Sequence, residues 1–433
     1  MTETNSSSRR RATLAILFGI ALSSGMAHAH DAGSWHTVWA AAMVRSPVPA
    51  SDVRPTAMTA PRLQRQTLRQ MVLLSAGGSR TRIRISNTFG THPLHIDAAS
   101  VGRSAAADVT GRLDPASLHA LRFSGHVDLV IPAGAVRYSD PLDFPVRSGE
   151  SLGISIYVGG TAVPSTWHVD ALRTNLISAP GDYTGKAAMP VATTTGATLW
   201  LSGVEVQAKA PLPVLVALGD SITNGFRSTL GASQGYPEQL ARRLRARGEA
   251  CHVAVVNAGI DGNEISDRDG GYGPGEGMAT RFDRDVLGQQ GVRFVLLLGG
   301  VNDIGETTMA LRSQGKTLDG QAVATNVIAA EQQIIGRAHA AGLRIFGATI
   351  LPFEGTRGAY SSAGERARKQ VNDWILHRAD FDGVVDFDAA LRDPSHPARM
   401  RPDLDSGDHI HPNDKGYASM AAAVPAIWLG CPP

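Results

Sequence analysis

The residues able to do chemistry fall in short blocks of the second half of the chain. Gly219-Asp220-Ser221-Ile222-Thr223-Asn224-Gly225 follows an apolar run, so Ser221 is expected at the carboxyl edge of a strand, where open α/β sheets place their ligands. A serine hydroxyl is a weak nucleophile at its own pKa and needs a base. Asp408-His409-Ile410-His411-Pro412-Asn413 supplies one. His411 can accept the Ser221 proton, and Asp408, three positions earlier, can orient the imidazole and stabilise imidazolium from the same turn. Taken alone, the Ser221 block also reads as a serine that caps the next helix or turn.

Asn257-Ala258-Gly259-Ile260 and Gly300-Val301-Asn302-Asp303 each close another expected strand. Asn302 by itself could bond a local turn, and Asp220 is expected to bond nearby backbone rather than act as an acid. His409 and His411 could mimic a metal pair, yet no carboxylate or third histidine completes a site, so no metal is expected. His92 and His95 read as surface residues.

The elements that must carry these blocks follow from hydrophobic period. Val214 to Leu218, Val253 to Val256, Phe294 to Leu298, Ile345 to Ile350 and Val384 to Phe387 are apolar runs of the buried, parallel kind. They alternate with helical stretches at Tyr236 to Arg247, Ala322 to Ala341, Ala363 to His377 and Asp414 to Ile427, the last behind a cap at Asn413. That alternation predicts a parallel sheet covered on both faces. From about residue 65 to 206 the period is two instead, with runs at Thr81 to Ser86, Val127 to Ile131, Leu152 to Val158 and Thr198 to Val206. This half is expected to be all-β, a sandwich of jelly-roll type. The 433 residues exceed what one core usually serves. The expected organisation is a signal peptide at 1–29, an accessory β-sandwich at 30–207, a proline-containing linker at 208–213 and an α/β domain at 214–433.

Together and in this order, the four chemical blocks resemble the GDSL or SGNH hydrolase superfamily, whose name records the Ser, Gly, Asn and His that occupy them. The resemblance spans residues 213 to about 427. It implies a flavodoxin-like three-layer α/β/α hydrolase domain with a parallel five-stranded sheet and a triad of Ser221, His411 and Asp408. It also implies an oxyanion hole made by the backbone N–H groups of Ser221 and Gly259 and the side-chain amide of Asn302. No cofactor is implied. Gln66-Thr67-Leu68-Arg69-Gln70 and Ser86-Asn87-Thr88-Phe89-Gly90, with the Gly300 to Gly305 block, are similar to bacterial secreted SGNH proteins carrying a β-rich segment before the hydrolase domain. Trp35 and Trp39 belong to that pattern and are expected to pack in the core rather than stack on sugars.

Charge and export signals narrow the partners. Arg9 to Arg11, apolar Ala12 to Leu22 and Ala27-His28-Ala29 read as a signal peptide cleaved after Ala29, giving a secreted or periplasmic protein. The apolar segment is too short for a bilayer anchor. Without it the formal charge falls from +2 to zero, so neither nucleic acid nor an anionic membrane is an expected partner. Export permits but does not require pairing of Cys251 with Cys431. The expected activity is that of a secreted serine esterase working through an acyl-enzyme on short acyl or O-acetyl groups of carbohydrate, its partner a small-molecule or polysaccharide ester. The alternatives are a lipase or lysophospholipase, for which the Gly270 to Gly275 loop is not visibly apolar, and a non-catalytic glycan-binding protein.

Overall fold

The apolar runs beyond residue 213 become strands whose side chains are buried on both faces; all six residues of the first are buried. In the computed structural model, which describes residues 1–2, 34–46, 60–104, 110–208, 210–266 and 275–432, the strands are β1 (Val214–Gly219), β2 (Ala254–Gly259), β3 (Val292–Leu298), β4 (Arg344–Ala348) and β5 (Gly383–Val385). They pair in parallel in the order β2-β1-β3-β4-β5, the flavodoxin-like doubly wound arrangement. Helices α1 (Ser221–Asn224), α2 (Tyr236–Arg245), α3 (Val301–Ser313), α4 (Gly320–Ala340), α5 (Ser362–His377) and α6 (Asp414–Ala423) connect and cover them. Helix α2 packs on α6, and α4 on α5. Asn413 caps α6 as expected, its side chain accepting from Lys415 and Gly416 N–H. The helix stops at Ala423, short of the expected Ile427, because Pro425 cannot continue it.

The period-two half forms antiparallel sheets in a sandwich-like arrangement. One has the order Trp35–Ala40, Leu201–Gln207, Arg80–Ser86, Val136–Tyr138. The other runs Val191–Thr195, Asn175–Pro180, Leu63–Leu73, Ser151–Ala162, Ala98–Ser104, His119–Ala120. Leu152, Ile154, Ile156 and Val158 alternate into the core. On the opposite face, Arg69 is fully buried. It donates to Ser155 Oγ and to the carbonyls of Gly111, Ala187, Tyr183 and Lys186 at 2.6–3.3 Å, and burial alone lowers its pKa to about 10. Gln70 exchanges two hydrogen bonds with the Leu199 backbone. Asn87 donates to three carbonyls. The polar members of the β-half motifs are therefore struts of this sandwich.

Two expected strands come out differently. The run from Thr198 to Val206 is broken at Trp200, a buried residue with φ of 59°, so Thr198–Leu199 and Leu201–Gln207 enter different sheets. Val127 is exposed beside a turn closed between Phe123 and His126, and the strand begins only at Leu129. Most of the expected signal segment, residue 209 of the expected linker and Gly270 to Pro274 of the glycine-rich loop lie outside the described residues. Among the described residues no helix is long and apolar enough to cross a membrane.

The described residues from Ser34 onward belong to one compact unit, and hydrogen bonds stitch its two halves. Thr37 N–H donates to Gln290 O at 3.0 Å, Arg84 Nη2 to Gln289 Oε1 at 2.9 Å, and Val255 N–H to Ser75 Oγ at 3.1 Å. Cys251 and Cys431 are bridged, with Cα atoms 4.7 Å apart, across a separation of 180 residues. Closing so long a loop restricts the unfolded chain by up to roughly 5 kcal/mol. Reduction, or Cys431→Ser, should lower the denaturant midpoint correspondingly; a midpoint indifferent to reductant would show that the bridge contributes nothing.

Candidate active site

The order β2-β1-β3 creates a crevice at the carboxyl ends of β1 and β3, the topological switch point of the sheet. Ser221 opens α1 directly after β1. Asp220 caps that turn, its Oδ1 accepting from Ile222 N–H at 2.9 Å. Burial pushes the Asp220 carboxyl up to about 7, and Asp303 nearby adds to the effect. Gly219 is required by crowding: a Cβ there would lie 2.1 Å from Thr223 Oγ1 and 2.7 Å from Leu298 O.

Ser221 Oγ lies 2.8 Å from His411 Nε2, and His411 Nδ1 lies 2.8 Å from Asp408 Oδ2. Two distant stretches of chain thus meet in one proton path. The Asp408 to His411 turn locks itself, because Asp408 Oδ1 accepts from Ile410 and His411 N–H at 3.1 and 2.9 Å. Burial opposes ionisation of Asp408, but these donors and the imidazole outweigh it and hold the carboxyl well below the ordinary range. Two further residues had no sequence signal. Arg227 Nε donates to Asp408 Oδ2 at 3.1 Å, and the Phe226 ring meets His411 edge-on at 4.8 Å. Such a chain can move the Ser221 proton to an imidazole whose second nitrogen faces a fixed carboxylate.

The expected oxyanion donors do not all reach this place. Ser221 and Asn302 line one cavity with His411. Gly259 does not: its N–H is donated to Asn257 Oδ1 at 2.9 Å. It is glycine because a Cβ would lie 2.2 Å from Asn224 N, so its role is close packing of α1 against β2. Gly262 lines the cavity instead, and its N–H has no partner among the described residues. Asn302 Nδ2 donates one proton to Asn263 O at 3.0 Å, which leaves the second for a ligand. Asp303 holds the following loop through Ile265 N–H and Ser266.

Arg281, fully buried, ties these pieces together. It donates to Gly219 O at 2.8 Å, Ala258 O at 2.9 Å and Asn263 Oδ1 at 3.0 Å, and pairs with Asp285 at 3.1 Å. Burial lowers its pKa and Asp285 opposes that shift.

The cavity beyond Ser221 measures about 330 Å³. Phe226, Val301, Met309, Ala359 and Ile410 give it an apolar wall, and Asp261, Glu306, Thr356 and Arg357 give it a polar rim. Residues 302, 305 and 309 lie on one face of α3, a helix that the sequence pattern did not reveal. The His409 ring turns away to Asp405, 2.7 Å from its Oδ2. His92 and His95 are exposed. Trp35 lies under the Arg82 guanidinium at 4.4 Å, and Trp39 is half-buried against the core.

Residues 217–419 match the GDSL-like Lipase/Acylhydrolase family; the β-rich half lies outside the match. Similar solved structures include an alpha/beta hydrolase enzyme from the metagenome of Lake Arreo, Spain, at 22% identity, covering 48% of this chain and 92% of that one with a TM-score of 0.36. A GDSL-like lipase from Bacteroides thetaiotaomicron is similar at 18% identity over 48% and 84% of the two chains, TM-score 0.33. An acetyl xylan esterase from Geobacillus stearothermophilus is similar at 20% identity over 48% and 91%, TM-score 0.36. No curated protein compared with the chain matches it.

Replacing Arg281 with Met should cost about 3–5 kcal/mol, since it removes at once the buried donors to Gly219 O, Ala258 O and Asn263 Oδ1 and leaves Asp285 with Arg284 alone. Chemical denaturation measures this, and a loss under about 1 kcal/mol would show that the guanidinium is not the tie described.

Proposed function

We propose that this GDSL-type half makes the protein a serine esterase that works through an acyl-enzyme, on short acyl groups and in particular O-acetyl groups of carbohydrate. The observation that carries the reading is the continuous hydrogen-bonded path from Ser221 Oγ through His411 to Asp408, opening on a cavity beside Asn302. Ser221 Oγ attacks the ester carbonyl as His411 Nε2 takes its proton, and Asp408 stabilises the imidazolium. The oxyanion that forms is received by the N–H groups of Ser221 and Gly262 and the free amide proton of Asn302. His411 then protonates the departing alcohol, and a water activated by the same imidazole releases the acid.

A cavity of about 330 Å³ is at the small end for ligand sites. Its apolar wall suits an acyl group of few carbons, and its polar rim suits a hydroxyl-rich alcohol. The reading as an exported protein is supported by the basic, apolar and small-x-small order of the first 29 residues and by the Cys251–Cys431 bridge.

Ser221→Ala should abolish hydrolysis of p-nitrophenyl acetate while the fold is retained; persistent turnover would remove Ser221 as nucleophile. Asn302→Ala should lower kcat by about a hundredfold with little change in KM. Asp408, held below the ordinary carboxylate range, should add no limb to the pH profile of kcat/KM across that range, and an Asp408→Asn variant with an unchanged rate would contradict its role beside His411.

A further inference from the structure

One contact between the halves reaches the nucleophile turn itself. His168, on the strand Thr166–His168 of the β half, is 6% exposed. Its Nδ1 lies 2.9 Å from Ala42 O, and its Nε2 lies 3.1 Å from Asn224 Oδ1. Asn224 closes α1, three residues after Ser221. The amide nitrogen of Asn224 donates to Asp170 O and to Asp261 Oδ1, each at 2.8 Å. Asp261 adjoins Gly262 and lines the cavity beside Ser221.

The hydrogen-bond types leave little freedom. Ala42 O can only accept, so Nδ1 carries a proton. Flipping the Asn224 amide would press its oxygen against the Asp170 carbonyl, so Oδ1 faces His168 Nε2. We propose that His168 is a positioning residue for the ester-cleaving site: its ring, anchored on Ala42 O, orients Asn224, and Asn224 sets the spacing between the Ser221 turn and the Asp261–Gly262 loop. This rests on the serine-esterase reading above.

The β half is then part of the site. Charged groups gather round the ring from both halves: Asp170 and Arg173 from the loop after its strand, Asp261 after β2, and Glu238 on α2. Burial first, and Asp170 second, push the Asp261 carboxyl up to about 8. Its proton therefore limits repulsion across this contact near neutral pH.

His168→Leu fills the space of the ring without its donors. On p-nitrophenyl acetate it should lower kcat by roughly tenfold to a hundredfold, the size expected for misplacement of reacting groups, with KM nearly unchanged. His168→Gln, whose amide can still donate to Asn224, should restore most of the loss. A folded Leu variant with wild-type kcat overturns the proposal. Nitrogen NMR of histidine-labelled wild type tests the same contact even if the Leu variant does not fold. His168 Nδ1 should carry a proton, as its contact with Ala42 O requires, and an unprotonated Nδ1 overturns the assignment. Failure of the esterase reading is a separate result, seen as a wild type without hydrolysis or a Ser221→Ala variant that keeps it, and the NMR readout still decides the state of His168.

Discussion

The buried guanidinium of Arg281 is the contact on which the geometry of the site depends. Parallel strands end in carbonyls with no partner beyond the sheet, and such groups are costly to bury unpaired. Arg281 donates to Gly219 O at the end of β1, which also accepts from Ile260 N–H at 3.1 Å, and to Ala258 O near the end of β2, and it holds Asn263 in the loop beyond. Asp285 compensates its charge. Since Gly219 closely precedes the Ser221 turn and Asn263 O receives the Asn302 amide, one cation sets the mutual placement of three stretches of the candidate site. Asp303 extends the same frame to Ile265 and Ser266.

The β half contributes to this frame from outside the sheet. Its interior is stiffened by Arg69, Gln70 and Asn87, polar side chains that bond backbone carbonyls the sandwich would otherwise bury without partners. Its surface meets the α/β half through Thr37, Arg84 and Ser75, and through His168 and Asp170 at the Ser221 turn. A rigid sandwich can hold such a contact more closely than a free loop can.

Strands of the α/β half could be read before folding because a sheet covered on both faces demands unbroken apolar runs, and β1 and β3 comply. Helix α3 could not. It begins straight after Gly300, and Gly305, Thr307 and Thr308 dilute both its propensity and its apolar stripe; it is held as a helix by packing on α4 and α5. Thr198 to Val206 looked continuous because a left-handed φ at a buried tryptophan leaves no trace in hydrophobic period. His411 and Asp408 were legible together, being three residues apart on one turn. Gly262 was not, since Gly259 and Gly262 differ only in what surrounds their N–H groups.

The chain order of residues was enough to settle the periods of the two halves, the serine at a strand end and the aspartate–histidine pair, all consequences of neighbours in the chain. Which glycine faces the cavity, which arginine is buried at the strand ends and which histidine of the β half touches Asn224 depended on contacts between residues tens to hundreds of positions apart. Hydrogen-bond donors are assigned by the atoms that folding brings opposite them, and local pattern carries no record of those atoms.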